Sequence, residues 1–225
     1  MSAWRRHGPL RFVQLAVYNA WYELRLARRR ARQNGDDFDA AHGTDTAQVV
    51  EVGSLDIESA NVRHAVRYQP SSAGLVRQAI ESLEVDLSKL TFIDFGSGKG
   101  RVVLLAATYP FKAIVGVELS RELHEIARDN IKRTGLDAAD SGNISLLCGD
   151  VADYSLPDSD LLCYLYNPFG PAVLTPLAER LSQHSSRRGH RVFVVYVDPK
   201  HRDVFEKMNA FQVIRGDASI LILRA

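Results

Sequence analysis

Cysteine is scarce in this 225-residue chain: there are two, Cys148 and Cys163, both inside apolar runs and without metal-ligand spacing. That argues against a disulfide scaffold or a cysteine metal site and predicts two reduced core thiols in a reducing compartment. No stretch approaches the roughly 20 apolar residues that a membrane span needs, so no transmembrane segment is expected. A secretory signal is disfavoured too, because Arg11, Gln14 and Asn19 interrupt the only early apolar stretch. Acids are almost missing from the start. Residues 1–33 hold eight arginines (Arg5, Arg6, Arg11, Arg25, Arg28, Arg29, Arg30, Arg32) against Glu23 alone, a net +7 that leaves −6 on the rest of a chain of formal charge +1. The body gives no reason to expect nucleic acid as a partner. The basic arm could contact nucleic acid or a membrane surface, or simply pack its apolar stripe and leave its arginines solvated. An Arg-rich, acid-poor start is also the composition of a mitochondrial transit peptide; the default location is the cytoplasm.

The remainder is ordinary for a globular domain, with 24% charged and 46% hydrophobic residues. Leu10, Val13, Val17, Trp21 and Leu24 predict a helix over 10–32, and Asn34-Gly35 supplies its stop. Residues 34–67 are polar and without clear period. The expected division is therefore a basic helix with a loop-rich cap over 1–67, and a second unit over 68–225.

From Ser71 the rhythm is regular. Leu75, Ala79, Ile80 and Leu83 mark a helix, and strands are predicted at 91–95, 113–118, 144–148, 161–166 and 191–197. Helices are predicted between most of them, at 101–108, 121–134, 172–183 and 201–209. Alternation of this kind implies βαβ units and a parallel sheet covered on both faces. The end departs from it: 211–214 and 219–223 are too close for a parallel crossover and must pair antiparallel. A mostly parallel seven-stranded α/β sheet closed by an antiparallel hairpin is not the six-parallel-strand dinucleotide fold.

Between the first strand and its helix the chain reads DFGSGKGRVV, with Gly96, Gly98 and Gly100 at every second position. A strand–glycine loop–helix unit brings backbone amides to the sheet edge where open α/β sheets bind ligands. A dinucleotide loop, G-x-G-x-x-G, would need its third glycine at 101, which is Arg101. Three carboxylates follow the sheet edge. Asp94 precedes the loop, Glu118 ends the second strand, and Asp150 follows the third in CGDV. Glu118 can accept both hydroxyls of a ribose or, more simply, serve as a helix N-terminal acid ahead of Ser120. Asp150 can accept from an adenine amino group or belong to a Gly-Asp turn. Asn167 opens NPFG after the fourth strand, where Asn-Pro is also ordinary turn chemistry.

From about Tyr68 to Ala225 these residues resemble class I S-adenosylmethionine-dependent methyltransferases, which implies their Rossmann-like fold. DFGSGKG is similar to the first motif, VGVELS to the acid-bearing second strand, CGDV to the adenine strand and NPFG to the fourth-strand motif. The resemblance implies S-adenosylmethionine as cofactor and no metal. It implies cofactor contacts at Tyr68, Asp94, Gly96, Ser97, Gly98, Gly100, Glu118, Leu119, Asp150, Val151 and Asn167, with Asn167 and Phe169 catalytic. DFGSGKGRVVLLAA and YNPFGP further resemble the catalytic core of the non-SET histone-lysine methyltransferases and their bacterial relatives. YQPSS, from Tyr68 to Ser72, corresponds to the tyrosine-bearing loop that closes over the cofactor there. Two departures stand out: Phe169 occupies the place of a second proline, and a lysine-rich nucleosome-binding tail is absent.

Methyl transfer from a sulfonium needs in-line positioning and a nucleophile with a free lone pair rather than an acid. Asn167 is placed to accept a hydrogen bond from an incoming amine, with Phe169 as apolar wall. No residue stands out as general base; His124 and His201 read as surface histidines, Tyr164 and Tyr166 as packing residues, with Tyr166 near enough to the sheet edge to contribute. The methyl acceptor (protein, small molecule or RNA) is not identified. The rival expectations are a non-catalytic cofactor sensor or scaffold and, behind it, a nicotinamide reductase, disfavoured by Arg101 and the terminal hairpin.

Overall fold

Apolar runs without alternation build the middle of the sheet. The computed structural model describes residues 38–51, 67–136 and 143–225; the helix expected over 10–32 and most of the polar segment after it lie outside the described residues. Strands β1 (Leu90–Phe95) and β5 (Val192–Val197) are buried at every residue. Alternate side chains enter opposite cores: Phe92, Tyr164 and Phe193 one, Ile93, Cys163 and Val194 the other.

Helices cover both faces. Of the described helices, α1 (Phe38–His42), α2 (Ala73–Glu81) and α3 (Arg101–Ala106) put Phe38, Val76 and Val103 into the first core. Helix α4 (Arg121–Arg133) follows β2 (Ala113–Glu118) and begins at Ser120, whose hydroxyl accepts from Leu123 N at 3.3 Å. Helix α5 (Pro171–Arg188) packs Leu174, Leu177 and Leu181 into the second core. The short α6 (Asp203–Glu206) adds Phe205 to the same core.

With β3 (Ile144–Cys148), β4 (Asp160–Tyr166), β6 (Gln212–Gly216) and β7 (Ile220–Arg224), the strands form one seven-stranded sheet ordered β3-β2-β1-β4-β5-β7-β6. The first five run parallel, while β7 pairs antiparallel with both β5 and β6. This is the expected Rossmann-like methyltransferase fold. The tight β6–β7 turn is held by Asp217, whose Oδ1 accepts from Ser219 N at 2.7 Å and Ile220 N at 3.1 Å.

Two expectations are corrected. Cys163 is buried in the centre of β4, and burial pushes its thiol pKa up. Cys148 is exposed, because β3 is an edge strand whose side chains are only partly covered. An apolar run marks a strand but does not tell an edge from a centre. His124, read as a surface histidine, is buried at 8% exposure on the inner side of α4, and burial lowers its pKa.

The described part of the cap is pinned to the glycine loop. Asp39 accepts from Thr44 Oγ1, Thr46 N and Thr46 Oγ1 at 2.6–2.8 Å, which shapes the turn after α1. Buried Asn130 of α4 then grips the backbone of one residue at both ends: its Oδ1 accepts from Asp45 N at 2.9 Å, and its Nδ2 donates to Asp45 O at 3.0 Å. The same Nδ2 donates to Lys99 O at 3.0 Å, and Lys99 Nζ reaches Asp45 Oδ1 at 2.9 Å. Asn130→Ala leaves these polar groups unpaired, at about 1–3 kcal/mol each where they stay dry, against under about 1 kcal/mol gained in helix propensity. The expected outcome is faster proteolytic cleavage within 43–50 and a modest fall in Tm. Unchanged cleavage there would show that Asn130 does not hold the cap.

Candidate active site

The ends of parallel strands leave a hollow where neighbouring connections diverge to opposite faces. Here β1 sits between β2 and β4, and the hollow between their C-terminal ends opens into a cleft that is partly enclosed and partly open to solvent. The glycine loop forms its floor, Glu118 and Leu119 one side, Gly149 to Val151 the far end, and Pro168 with Phe169 the opposite wall. Tyr68, Gln69 and Ser71 close over it from the segment before α2.

Each glycine of the loop answers to a different neighbour. A Cβ on Gly96 would stand 2.7 Å from the Pro168 side chain, so the loop can meet the fourth-strand turn only without one. Gly98, at φ +52°, lies under the Tyr68 ring, with which a Cβ would collide. Gly100, at φ +82°, lets α3 start 3.1 Å (measured to a Cβ built there) from Ala127 Cβ of α4. Gly96, Ser97 and Gly98 line the cleft; Gly100 is not among its lining residues and acts in helix packing.

The acids differ in what they touch. Glu118 ends β2 at 8% exposure, with Oε2 accepting from Gly98 N at 2.7 Å and Oε1 from Ser120 N at 2.8 Å. It therefore ties the β1 loop to the start of α4 and still presents lone pairs to the cleft. Burial raises its pKa, while those amides and that of Leu119 pull the other way. Asp94 is more deeply buried; burial first, and then the Glu118 charge, hold its carboxyl well above the usual carboxylate range. Asp150 Oδ1 accepts from Ala152 N at 2.9 Å, the turn geometry expected after a Gly-Asp pair, and its residue also lines the cleft.

Several residues at the cleft carry little sequence signal of their own, Tyr166 apart, whose place near the sheet edge marks it. Tyr164 lies in the strand as expected of a packing residue, yet its hydroxyl bonds Ser71 Oγ at 2.9 Å on the cleft side. Tyr166 OH accepts from Gln69 Nε2 at 2.8 Å, joining the fourth strand to the covering segment. Arg180 of α5 donates to the carbonyls of Val151, Ala152 and Tyr154, fixing the turn that carries Asp150. Only long-range placement brings these together. Asn167 differs from its expected position. It adopts φ +39° and is 4% exposed, and its Oδ1 accepts from Tyr196 OH at 3.3 Å behind the wall formed by Pro168 and Phe169.

This set fits S-adenosylmethionine. Three acids on neighbouring strand ends match an adenosine with a cationic tail, and the loop keeps side-chain atoms away where a ligand approaches. The buried Ser97 Oγ has no hydrogen-bond partner among the described residues, although its residue lines the cleft. Among those residues no group of His, Cys, Asp and Glu could hold a metal ion.

Asp94 makes the free protein pH-sensitive. Its folded-state pKa lies above the unfolded value of about 3.9, so folding stability falls as pH rises from about 4 towards the raised value. Asp94→Asn should flatten that decline and leave the free protein more stable than wild type above the raised pKa. Denaturant unfolding across pH checks it; an unaltered pH profile would show that Asp94 is not strained in the free protein.

Residues 92–171 match a family profile described as a methyltransferase domain. Among solved structures, a candidate RNA methyltransferase of Pyrococcus horikoshii superposes with a TM-score of 0.53 at 18% identity, over 77% of this chain and 92% of that one. The precorrin-6y C5,15-methyltransferase of Geobacter metallireducens GS-15 gives 0.50 at 15% identity, over 68% and 87%. An RNA methyltransferase of Salinibacter ruber in complex with S-adenosyl-L-homocysteine gives 0.47 at 21%, over 69% and 91%. At these identities the likeness is one of fold. No curated protein sequence matches the chain. The segment holding the glycine loop, Glu118 and the Asp150 turn thus matches a methyltransferase domain.

Proposed function

We propose that the chain transfers the methyl group of S-adenosylmethionine to an amine nitrogen, protein lysine being the instance that its motif likeness implies. In this reading Glu118 takes the ribose hydroxyls, Asp150 and the Val151 amide take adenine, and Asp94, Ser97 and Gly96 to Gly98 surround the methionine portion. The bound cofactor supplies an electrophilic methyl whose departure leaves a neutral thioether. What the chain contributes is position and dryness. Pro168, Phe169 and Val173 give the cleft an apolar wall, and such a wall favours the neutral, nucleophilic form of an amine whose unperturbed pKa is about 10.4. Asn167, held by Tyr196, acts on the amine through the turn it opens, by fixing Pro168 and Phe169 in that wall.

One observation carries the choice of an amine. A second, shallower cleft adjoins the first and shares Gln69 and Tyr166 with it, their hydrogen bond forming the partition. Its described lining is Gln69, Ser72, Leu75, Tyr166, Val197, Asp198, Ala218 and Ser219, in which Asp198 is the one acid; Lys200 Nζ stands 3.4 Å from its Oδ2 in an exposed pair. An incoming ammonium can exchange with Lys200 on that solvent-exposed carboxylate. Once past the partition the cation leaves the carboxylate behind and enters the drier cleft, where losing its proton to water is favoured.

Radiolabelled S-adenosylmethionine given to fractionated lysate tests this. The expected result is label in protease-sensitive material that survives mild alkali, as N-methyl groups do and carboxyl methyl esters do not. Label in nuclease-sensitive or alkali-labile material overturns the protein-amine assignment. With the acceptor in hand, Asp198→Asn should lower kcat/KM for it several-fold, more at low salt, and leave S-adenosylhomocysteine affinity within about two-fold. Asn167→Ala should lower single-turnover transfer with little change in cofactor affinity; full activity would make Asn167 a turn residue only. Glu118→Ala should weaken S-adenosylhomocysteine binding by roughly 1.5–3 kcal/mol, and unchanged affinity by calorimetry would remove Glu118 from the ribose site.

A further inference from the structure

We infer that Arg101 is the receptor for the α-carboxylate of the cofactor's amino-acid tail, and so selects the carboxylated cofactor over its decarboxylated form. The inference rests on the reading that the cleft binds S-adenosylmethionine. Among the described residues two arginines line that cleft. Arg67 is half exposed and pairs with Glu51 at 3.7 Å. Arg101 is different in kind: it is 8% exposed, and among the described residues no acid forms an ion pair with it.

Its present contacts leave most of its donors unused. Nη1 donates to Thr46 Oγ1 at a long 3.3 Å, the guanidinium lies 4.5 Å from the Phe38 ring centre, and buried Nε has no hydrogen-bond partner. A guanidinium has five N–H donors in a rigid fork. Burying it without an anion is costly, whereas the planar fork matches a carboxylate with two parallel bonds. The aromatic ring and the threonine hold the group in place, and the Asp39 carboxylate is linked to it only through Thr46 Oγ1, not by a direct ion pair.

Position selects which anion. Along the sheet edge the order is β3, β2, β1, carrying Asp150, Glu118 and the glycine loop in turn. A nucleoside laid with its base at Asp150 and its ribose at Glu118 puts its tail at the β1 loop, where Arg101 follows Gly100 directly. The tail of S-adenosylmethionine carries an ammonium and a carboxylate there. Asp94 is the acid on that side and Arg101 the buried base, so the two ends of the zwitterion have opposite partners.

The test is a calorimetric comparison of two ligands, S-adenosylhomocysteine and its decarboxylated analogue S-adenosyl-3-thiopropylamine, on wild type, Arg101→Gln and Arg101→Lys. Wild type is expected to prefer the carboxylated ligand by about ten-fold or more, the scale of hydrogen bonds to charged groups. Arg101→Gln should lose most of that ratio while binding the decarboxylated ligand within about two-fold of wild type, and Arg101→Lys should keep part of it. A purely structural role would weaken both ligands equally and leave the ratio untouched, and that result overturns the proposal. So does a wild type without preference, which decides the matter even if Arg101→Gln does not fold. Failure of wild type to bind either ligand would instead overturn the cofactor reading on which the inference rests.

Discussion

Two carboxyl groups buried at neighbouring strand ends set the terms for the rest of this molecule. Asp94 and Glu118 sit in the same hollow, and the charge of Glu118 is one reason why Asp94 resists ionisation. Glu118 is accommodated because Gly98 N and Ser120 N donate to it, which fixes the glycine loop against the second strand. Among the described residues no amide donates to Asp94 in this way. Its charge becomes favourable when a cation enters, so the site stores a preference for a positively charged ligand. Free proteins tolerate such buried acids mainly where function needs them.

The covering segments respond to the same constraint. Tyr68 pairs with Val50 through its backbone, donates its hydroxyl to Thr46 O at 2.7 Å, and lays its ring over Gly98. Thr46 also accepts from Arg101, and Asp45 is gripped by Asn130 and Lys99. The polar stretch around residue 45 is thus a set of hydrogen-bonded contacts to the loop that would meet the cofactor. Closure of the cleft and order in this segment are linked through those few bonds.

Much of the sheet was legible in the chain because its signals are local. Runs such as VFVVYV predict strands buried on both faces, and the short spacing between β6 and β7 requires an antiparallel pair. The glycine loop and the strand-end acids were legible for the same reason, since each follows directly from where a strand stops. Features set by distant packing were not. Whether an apolar strand lies at an edge decides that Cys148 is exposed and Cys163 is not. That Gly100 serves α4 rather than the cleft depends on Ala127. The turn of Asn167 towards Tyr196 depends on β5, and Arg101 gains its significance from Phe38 and Thr46 of a segment without periodicity.

The central claim is that the cleft over Gly96–Gly98, bounded by Glu118 and the Asp150 turn, is built for S-adenosylmethionine rather than for a nicotinamide dinucleotide. Calorimetric titration of the wild-type chain with S-adenosylhomocysteine and, separately, with NADH measures this directly. One S-adenosylhomocysteine per chain is expected, bound with release of protons to the buffer below the raised pKa of Asp94, and no heat from NADH at the same concentration. Saturable NADH binding without S-adenosylhomocysteine binding would contradict it.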